Sequence, residues 1–135
     1  MEFITKALNG KELFAMRTPD GRIMHAEAQI GDSKVMMGQA GGEHKPMPCM
    51  LYVYVRAVDT SYKRAMRWLK KNSGGVGGSL QEPKDEFYGD RTAAVRDPNG
   101  NSGYLATHVE DVNEQEMARR GAEAMKKSSQ APPEA

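Results

Sequence analysis

At 135 residues the chain has the length of one domain with room for a core, and 19 basic against 18 acidic side chains leave a net charge of +1. That balance excludes a strong electrostatic grip on nucleic acid or on an anionic membrane surface. One cysteine, Cys49, excludes an internal disulfide framework, and no apolar run approaches the ~20 residues that span a bilayer.

In chain order, Glu2 to Leu8 is helical by pattern, with Phe3, Ala7 and Leu8 on one face and Asn9-Gly10 as its stop. Lys11 to Met16 reads as a strand, and Pro19-Asp20-Gly21 turns it into a second, Ile23 to Ile30. That strand alternates: Met24, Ala26, Ala28 and Ile30 share one face, and His25, Glu27 and Gln29 the other. Gly31-Asp32 leads into Lys34 to Gln39, and the Gly/Pro-rich stretch Ala40 to Pro48 marks the boundary between two halves.

The second half opens with a strand, Met50 to Val55, in which Leu51, Val53 and Val55 oppose Met50, Tyr52 and Tyr54. Cys49 just before it is expected as a buried, inert thiol. Asp59 to Lys71 follows as an amphipathic helix capped by Asp59 or Thr60, with Tyr62, Ala65, Met66 and Leu69 as its apolar stripe. The glycine-rich Asn72 to Ser79 is a flexible turn; it lacks the Lys-Ser/Thr ending and the preceding strand of a phosphate loop. Val76 to Gln81 is a short strand.

Asp97-Pro98-Asn99-Gly100 is a strong turn signal, with Arg91 to Arg96 before it and Ser102 to His108 after it. Together they form a β-hairpin with Tyr104, Ala106 and His108 on one face. Phe87, Tyr88 and Gly89 stand at its mouth, beside an Asp90-Arg91 pair expected to form an ion pair there. A last helix, Asp111 to Lys127, is capped at Asn113 with Glu116 three residues on, and a disordered tail is expected from 128 to 135.

Four blocks carry a family resemblance, in the family's order. They are ELFAMRTPDGRIMHAEAQIGDS, LYVYV with VDTSYKRAM, FYGDRTAAVRDPNGNSGYLATH, and EDVNEQEMARR. In them the chain resembles the PhnB-like branch of the vicinal oxygen chelate superfamily, the glyoxalase/bleomycin-resistance/dioxygenase proteins. The resemblance implies one α+β domain over residues 1–127, built from paired βαβββ modules at about 1–40 and 49–108. These curve into a mixed sheet with a concave cavity. The family's first strand precedes the helix of which Glu2 to Leu8 resembles the second half, so the first module is expected to lack that strand.

In the family, helices cover the convex face, which turns Met50, Tyr52, Tyr54 and Tyr104 into the cavity together with His25, Glu27 and Gln29. Met37, Phe87 and Tyr88 complete the expected ligand-binding set. The family's metal ligands lie on the first and last strands of each module, and three of the four positions map to Met37, Met50 and Tyr104. Thioethers and a neutral phenol are poor ligands for a hard divalent ion, so no metal and no cofactor is expected.

The resulting expectation is a cytoplasmic homodimer that binds a small aromatic or amphipathic molecule against Met and Tyr faces. The alternatives are a metal-dependent lyase, isomerase or dioxygenase recruiting ligands from His25, Glu27 and the partner chain, and a structural fragment with no ligand chemistry.

Overall fold

Period-2 alternation in the strands and one apolar helical stripe lay down two β-sheets under a shared helical layer. The computed structural model describes residues 1–130. A short helical turn, Phe3–Ala7, precedes the strands β1 (Lys11–Arg17), β2 (Ile23–Ile30) and β3 (Ser33–Gly38), which pair antiparallel in that order. The second sheet holds β4 (Met50–Tyr54), β5 (Gly78–Asp85), β6 (Asp90–Arg96) and β7 (Ser102–His108) in the order β4-β7-β6-β5, with β4 parallel to β7. Helix α1 (Val58–Asn72) joins β4 to β5, and α2 (Glu114–Gln130) ends the described chain. The α+β class is the expected one, and the two modules form two separate open sheets, the second of them mixed.

The core lies between the sheets and the helices. Leu8, Ile30, Val58, Ala93 and Leu105 form one buried cluster, with Phe3, Ile4, Val35, Val53, Val55 and Tyr62 packed against it. Ile30 comes from the first sheet and Leu105 from the second, so a single apolar cluster bridges both. Ala7, Ala65, Leu69 and Val95 form a second cluster beside it. The N-terminal turn is held by an edge-on contact of Phe3 with Trp68, at 5.5 Å between ring centroids, and by Arg64 Nε donating to the Ala7 carbonyl at 2.8 Å. Gly10 leaves this turn where no side chain fits: a Cβ there would lie 2.7 Å from Ile4 Cγ2 and 2.9 Å from the Gln29 carbonyl.

Several expectations are corrected. Helix α1 begins at Val58, and its N-cap Ala57 has no capping side chain. The cap comes from across the sheet, because Thr107 Oγ1 accepts from the Val58 N–H at 3.0 Å and donates to the Val55 carbonyl at 2.9 Å. β5 starts two residues later than expected and runs on through Pro83, which is tolerated on an edge strand where the β5–β6 register breaks between Gln81 and Lys84. Helix α2 continues to Gln130, so residues 128–130 are helical and not tail; the remainder of the expected tail lies outside the described residues. Asn113 does cap α2, accepting from the Glu116 N–H at 2.9 Å, but the Glu116 side chain pairs with Arg119 and Arg120.

Met37 is also displaced from its expected place. The β2–β3 register sets Met37 opposite Ala26 and Val35 opposite Ala28, which puts it on the helix-facing side, and Met36 opposite Glu27 on the concave side. Cys49 is exposed and not buried, because it lies at the chain's entry to an edge strand. No helix among the described residues is long and apolar enough to cross a membrane.

Leu105 has no solvent exposure at the junction of both sheets and α1. Leu105→Ala is expected to destabilise the fold by about 2–5 kcal/mol, read as a lower urea midpoint with an unchanged slope.

Candidate functional site

The register of the second sheet assembles its concave face. β4 pairs with β7 so that Tyr52 lies opposite Tyr104 and Tyr54 opposite Ala106. β6 pairs with β7 so that Thr92 meets Ala106 and Asp90 meets His108. The Tyr52 and Tyr104 rings are near-parallel, 6.2 Å apart at 8°, and Tyr54 leans on Tyr52 at 5.6 Å.

At one end of this aromatic row sits Asp90, only 4% exposed. Its Oδ2 accepts from Tyr54 Oη at 2.7 Å and from Tyr52 Oη at 3.4 Å, and its Oδ1 lies 3.0 Å from His108 Nδ1. The Tyr52 hydroxyl also lies 3.2 Å from that of Tyr88, and His108 Nε2 is 2.8 Å from Asp111 Oδ1. The mouth that holds Asp90 is closed by Gly89, whose carbonyl accepts from both Val109 and Glu110 and whose φ of 97° suits only glycine. A second carboxylate, Glu86, accepts from Thr92 Oγ1 at 2.8 Å, and Gln81 Nε2 donates to that same hydroxyl at 2.8 Å.

These contacts set the charges. Burial pushes the Asp90 carboxyl up, but donation by Tyr54 and His108 outweighs it and holds the group below the ordinary aspartate value of 3.8. His108 is raised above 6.5, first by Asp111 and then by Asp90. With a carboxylate at each ring nitrogen, the imidazolium, which donates from both, is the favoured form. Burial, and then the Tyr88 hydroxyl, keep the Tyr52 phenol protonated; for Tyr54 the bond to Asp90 comes first and burial second. Tyr54 therefore spends its proton on Asp90, Tyr52 is held between Asp90 and the Tyr88 hydroxyl, and both phenols present ring faces to solvent.

Of the residues singled out from sequence, Met50, Tyr52, Tyr54 and Tyr104 do share this face, and Tyr88 joins it through its hydroxyl. Phe87 stacks edge-on to Tyr88 but packs on Gly121 of α2, where a Cβ would lie 3.3 Å from its ring. His25 and Glu27 lie on the first sheet beside Phe14, Met16 and Met36, with the His25 and Phe14 rings 6.3 Å apart. Gln29 donates to the Gly31 carbonyl at 3.0 Å, a local turn contact. Among the described residues no hydrogen bond links these three to the tyrosines.

Asp90 and Arg91 do not form the expected ion pair. Neighbours on a strand face opposite ways, so Arg91 reaches over the convex side to Asp59, at 2.7 and 2.9 Å, and to Asp85 at 3.0 Å. Asp90 was the functional candidate missed from sequence. The signal was present: pairing the hairpin outward from Arg96 and Ser102 sets Asp90 opposite His108.

Comparison with solved structures decides what this architecture is. TioX from Micromonospora sp. ML1 matches 80% of this chain and 86% of its own, with 22% identity and a TM-score of 0.58. A glyoxalase/bleomycin resistance protein/dioxygenase superfamily member from Sphaerobacter thermophilus matches 78% and 83%, with 17% identity and a TM-score of 0.57. The fold is that of the glyoxalase/bleomycin-resistance/dioxygenase superfamily. A PhnB protein from Bacillus cereus shares it over 79% of this chain and 87% of its own, at 16% identity and a TM-score of 0.51. An uncharacterized protein of Mycobacterium bovis is 29% identical over 128 residues, covering 87% of this chain and 80% of the relative. No family model matches the chain.

The positions that the sequence resemblance maps to metal ligands carry no hard-metal donor. Met50 and Tyr104 are not hard-metal ligands, and Met37 faces the helices. His25 and Glu27 supply two donors where a divalent site wants three or four, and no cluster of three or more His, Cys, Asp or Glu able to hold a metal occurs among the described residues.

The charge chain has a defined pH window. A raised His108 stabilises the fold fully below 6.5 and loses that contribution as pH rises through its folded value; a depressed Asp90 stabilises above 3.8 and loses it as pH falls through its folded value. In an NMR titration the His108 midpoint is expected above 6.5, and Asp111→Asn is expected to lower it more than Asp90→Asn does. Equal midpoints in all three proteins would contradict the assignment.

Proposed function

We propose that the chain binds a small aromatic molecule on the concave face of its second sheet, without a metal. The observation that carries this reading is the row of exposed Tyr52 and Tyr54 and half-buried Tyr104, with two of its hydroxyls anchored on buried Asp90. Tyrosines at 43% and 62% exposure offer ring area that a flat apolar ligand covers favourably. A buried carboxylate satisfied by phenols and an imidazolium serves to hold those rings in place.

The same exposure supports the second part of the reading, a homodimer. Phe14, Met16, Met36 and Met50 are also exposed on the inner faces of the two sheets, which makes a large open apolar surface. A second copy laid over these faces turns an open wall into a cup.

Two measurements test the two parts. For an aromatic ligand found by thermal-shift screening, Tyr52→Ala and Tyr104→Ala are each expected to weaken binding by roughly 1–3 kcal/mol, and chelator dialysis is expected to leave it intact. Unchanged affinity in both variants would place the ligand elsewhere. Sedimentation equilibrium at micromolar concentration is expected to show a dimer; a single species at monomer mass removes the second copy from the site.

A further inference from the structure

The aromatic row of the second sheet is wired to negative charge. Tyr54 donates its hydroxyl proton to Asp90 at 2.7 Å, and Tyr52 lies between Asp90, at 3.4 Å, and the Tyr88 hydroxyl, at 3.2 Å. A phenol that donates to a carboxylate gains electron density in its ring, which deepens the negative potential over the ring face. The Tyr54 ring stands at 57° to that of Tyr52 and both are exposed, so two such faces lie side by side in solvent.

The ions around the row have the same sign in sum. His108 lies between Asp90 and Asp111, so two carboxylates to one imidazolium leave one negative charge. Asp90 itself is shut away from water, where counter-ions screen it little. Tyr54, Ala106 and Thr92 stand abreast across β4, β7 and β6, which sets Thr92 two strands, about 10 Å, from Tyr54 on the same face. Thr92 donates its hydroxyl to Glu86 Oε1 at 2.8 Å and so draws a further carboxylate to this face. Lys84 Nζ reaches the same oxygen at 3.4 Å from an exposed position, and Glu86 Oε2 has no hydrogen-bond partner among the described residues. Among those residues no lysine or arginine bonds to Tyr52, Tyr54, Tyr104 or Asp90.

Resting on the reading of the tyrosine face as the ligand site, we propose that the aromatic molecule it takes is a cation, a protonated or quaternary aromatic amine. The Tyr52 and Tyr54 ring faces attract its positive charge directly, and Glu86 and Asp90 add to the field from the β6 side. A weakly hydrated organic cation gives up little on leaving water for such a surface, whereas an anion of the same shape meets rings and carboxylates that both repel it.

The test uses the full chain and three probes on one bicyclic frame: N-methylquinolinium, neutral quinoline and quinoline-2-carboxylate. Binding is followed at neutral pH by the shifts of the Tyr52, Tyr54 and Tyr104 ring signals. N-methylquinolinium is expected to bind about tenfold more tightly than quinoline, and the carboxylate more weakly than either. Added salt is expected to narrow the gap between cation and neutral probe. Glu86→Gln, which keeps an oxygen for the Thr92 hydroxyl, is expected to lower the cation-to-neutral ratio about threefold. If that variant does not fold, the three probes on the parent chain decide alone. Equal affinity for quinoline and its N-methyl cation at the tyrosine signals overturns the proposal and leaves the aromatic-ligand reading standing. Failure of all three probes to move those signals at millimolar concentration overturns both.

Discussion

The β6–β7 hairpin carries the second sheet, because each residue of that sheet takes its side from the hairpin's register. Asp97 fastens the turn by accepting from the Asn99 and Asn101 N–H groups and from the Asn101 side chain. Asn101 in turn accepts from the Cys49 N–H, which sets where β4 enters beside β7. A slip of one residue would exchange the two faces, bringing Arg91 inward and turning Asp90 out over the helix. The turn therefore decides both the core, through Ala93, Val95 and Leu105, and the polar chain on the other side.

On the convex side, the consequence is a charge clamp between layers. Arg91 reaches α1 through Asp59 and the edge strand through Asp85, and its guanidinium lowers the Asp59 carboxyl from its ordinary value. On the concave side, the same strand buries a carboxylate that would be costly without donors. Three donors meet it, and the phenols that do so are fixed as a result. Order in the aromatic row is thus a by-product of satisfying Asp90, and the row is also the surface best suited to a planar ligand.

The first sheet is organised differently. It is tied to the second through the helical layer, where Ile30 and Val35 meet Val58 and Leu105, and among the described residues no strand pairing joins the two sheets. Small side chains make that approach possible, with Ala26 and Ala28 fully buried on the face that carries Val35 and Met37.

Local chemistry was enough to determine the elements, the turns and most of the faces. Asp-Pro-Asn-Gly can hardly be anything but a turn, and the alternation of Leu51-Tyr52-Val53-Tyr54 states which side is apolar. Where the pattern was weak the reading failed: Met36 and Met37 are adjacent and alike, so only pairing with Glu27 and Ala26 could tell the inner from the outer. The cap of α1 comes from Thr107, the partners of Arg91 lie on α1 and β5, and the donors to Asp90 come from β4 and β7, all from residues distant in the chain. Such contacts leave no mark on local composition. They exist because strand register and helix packing bring those groups within hydrogen-bond reach, and that is a property of the assembled sheet and not of any segment within it.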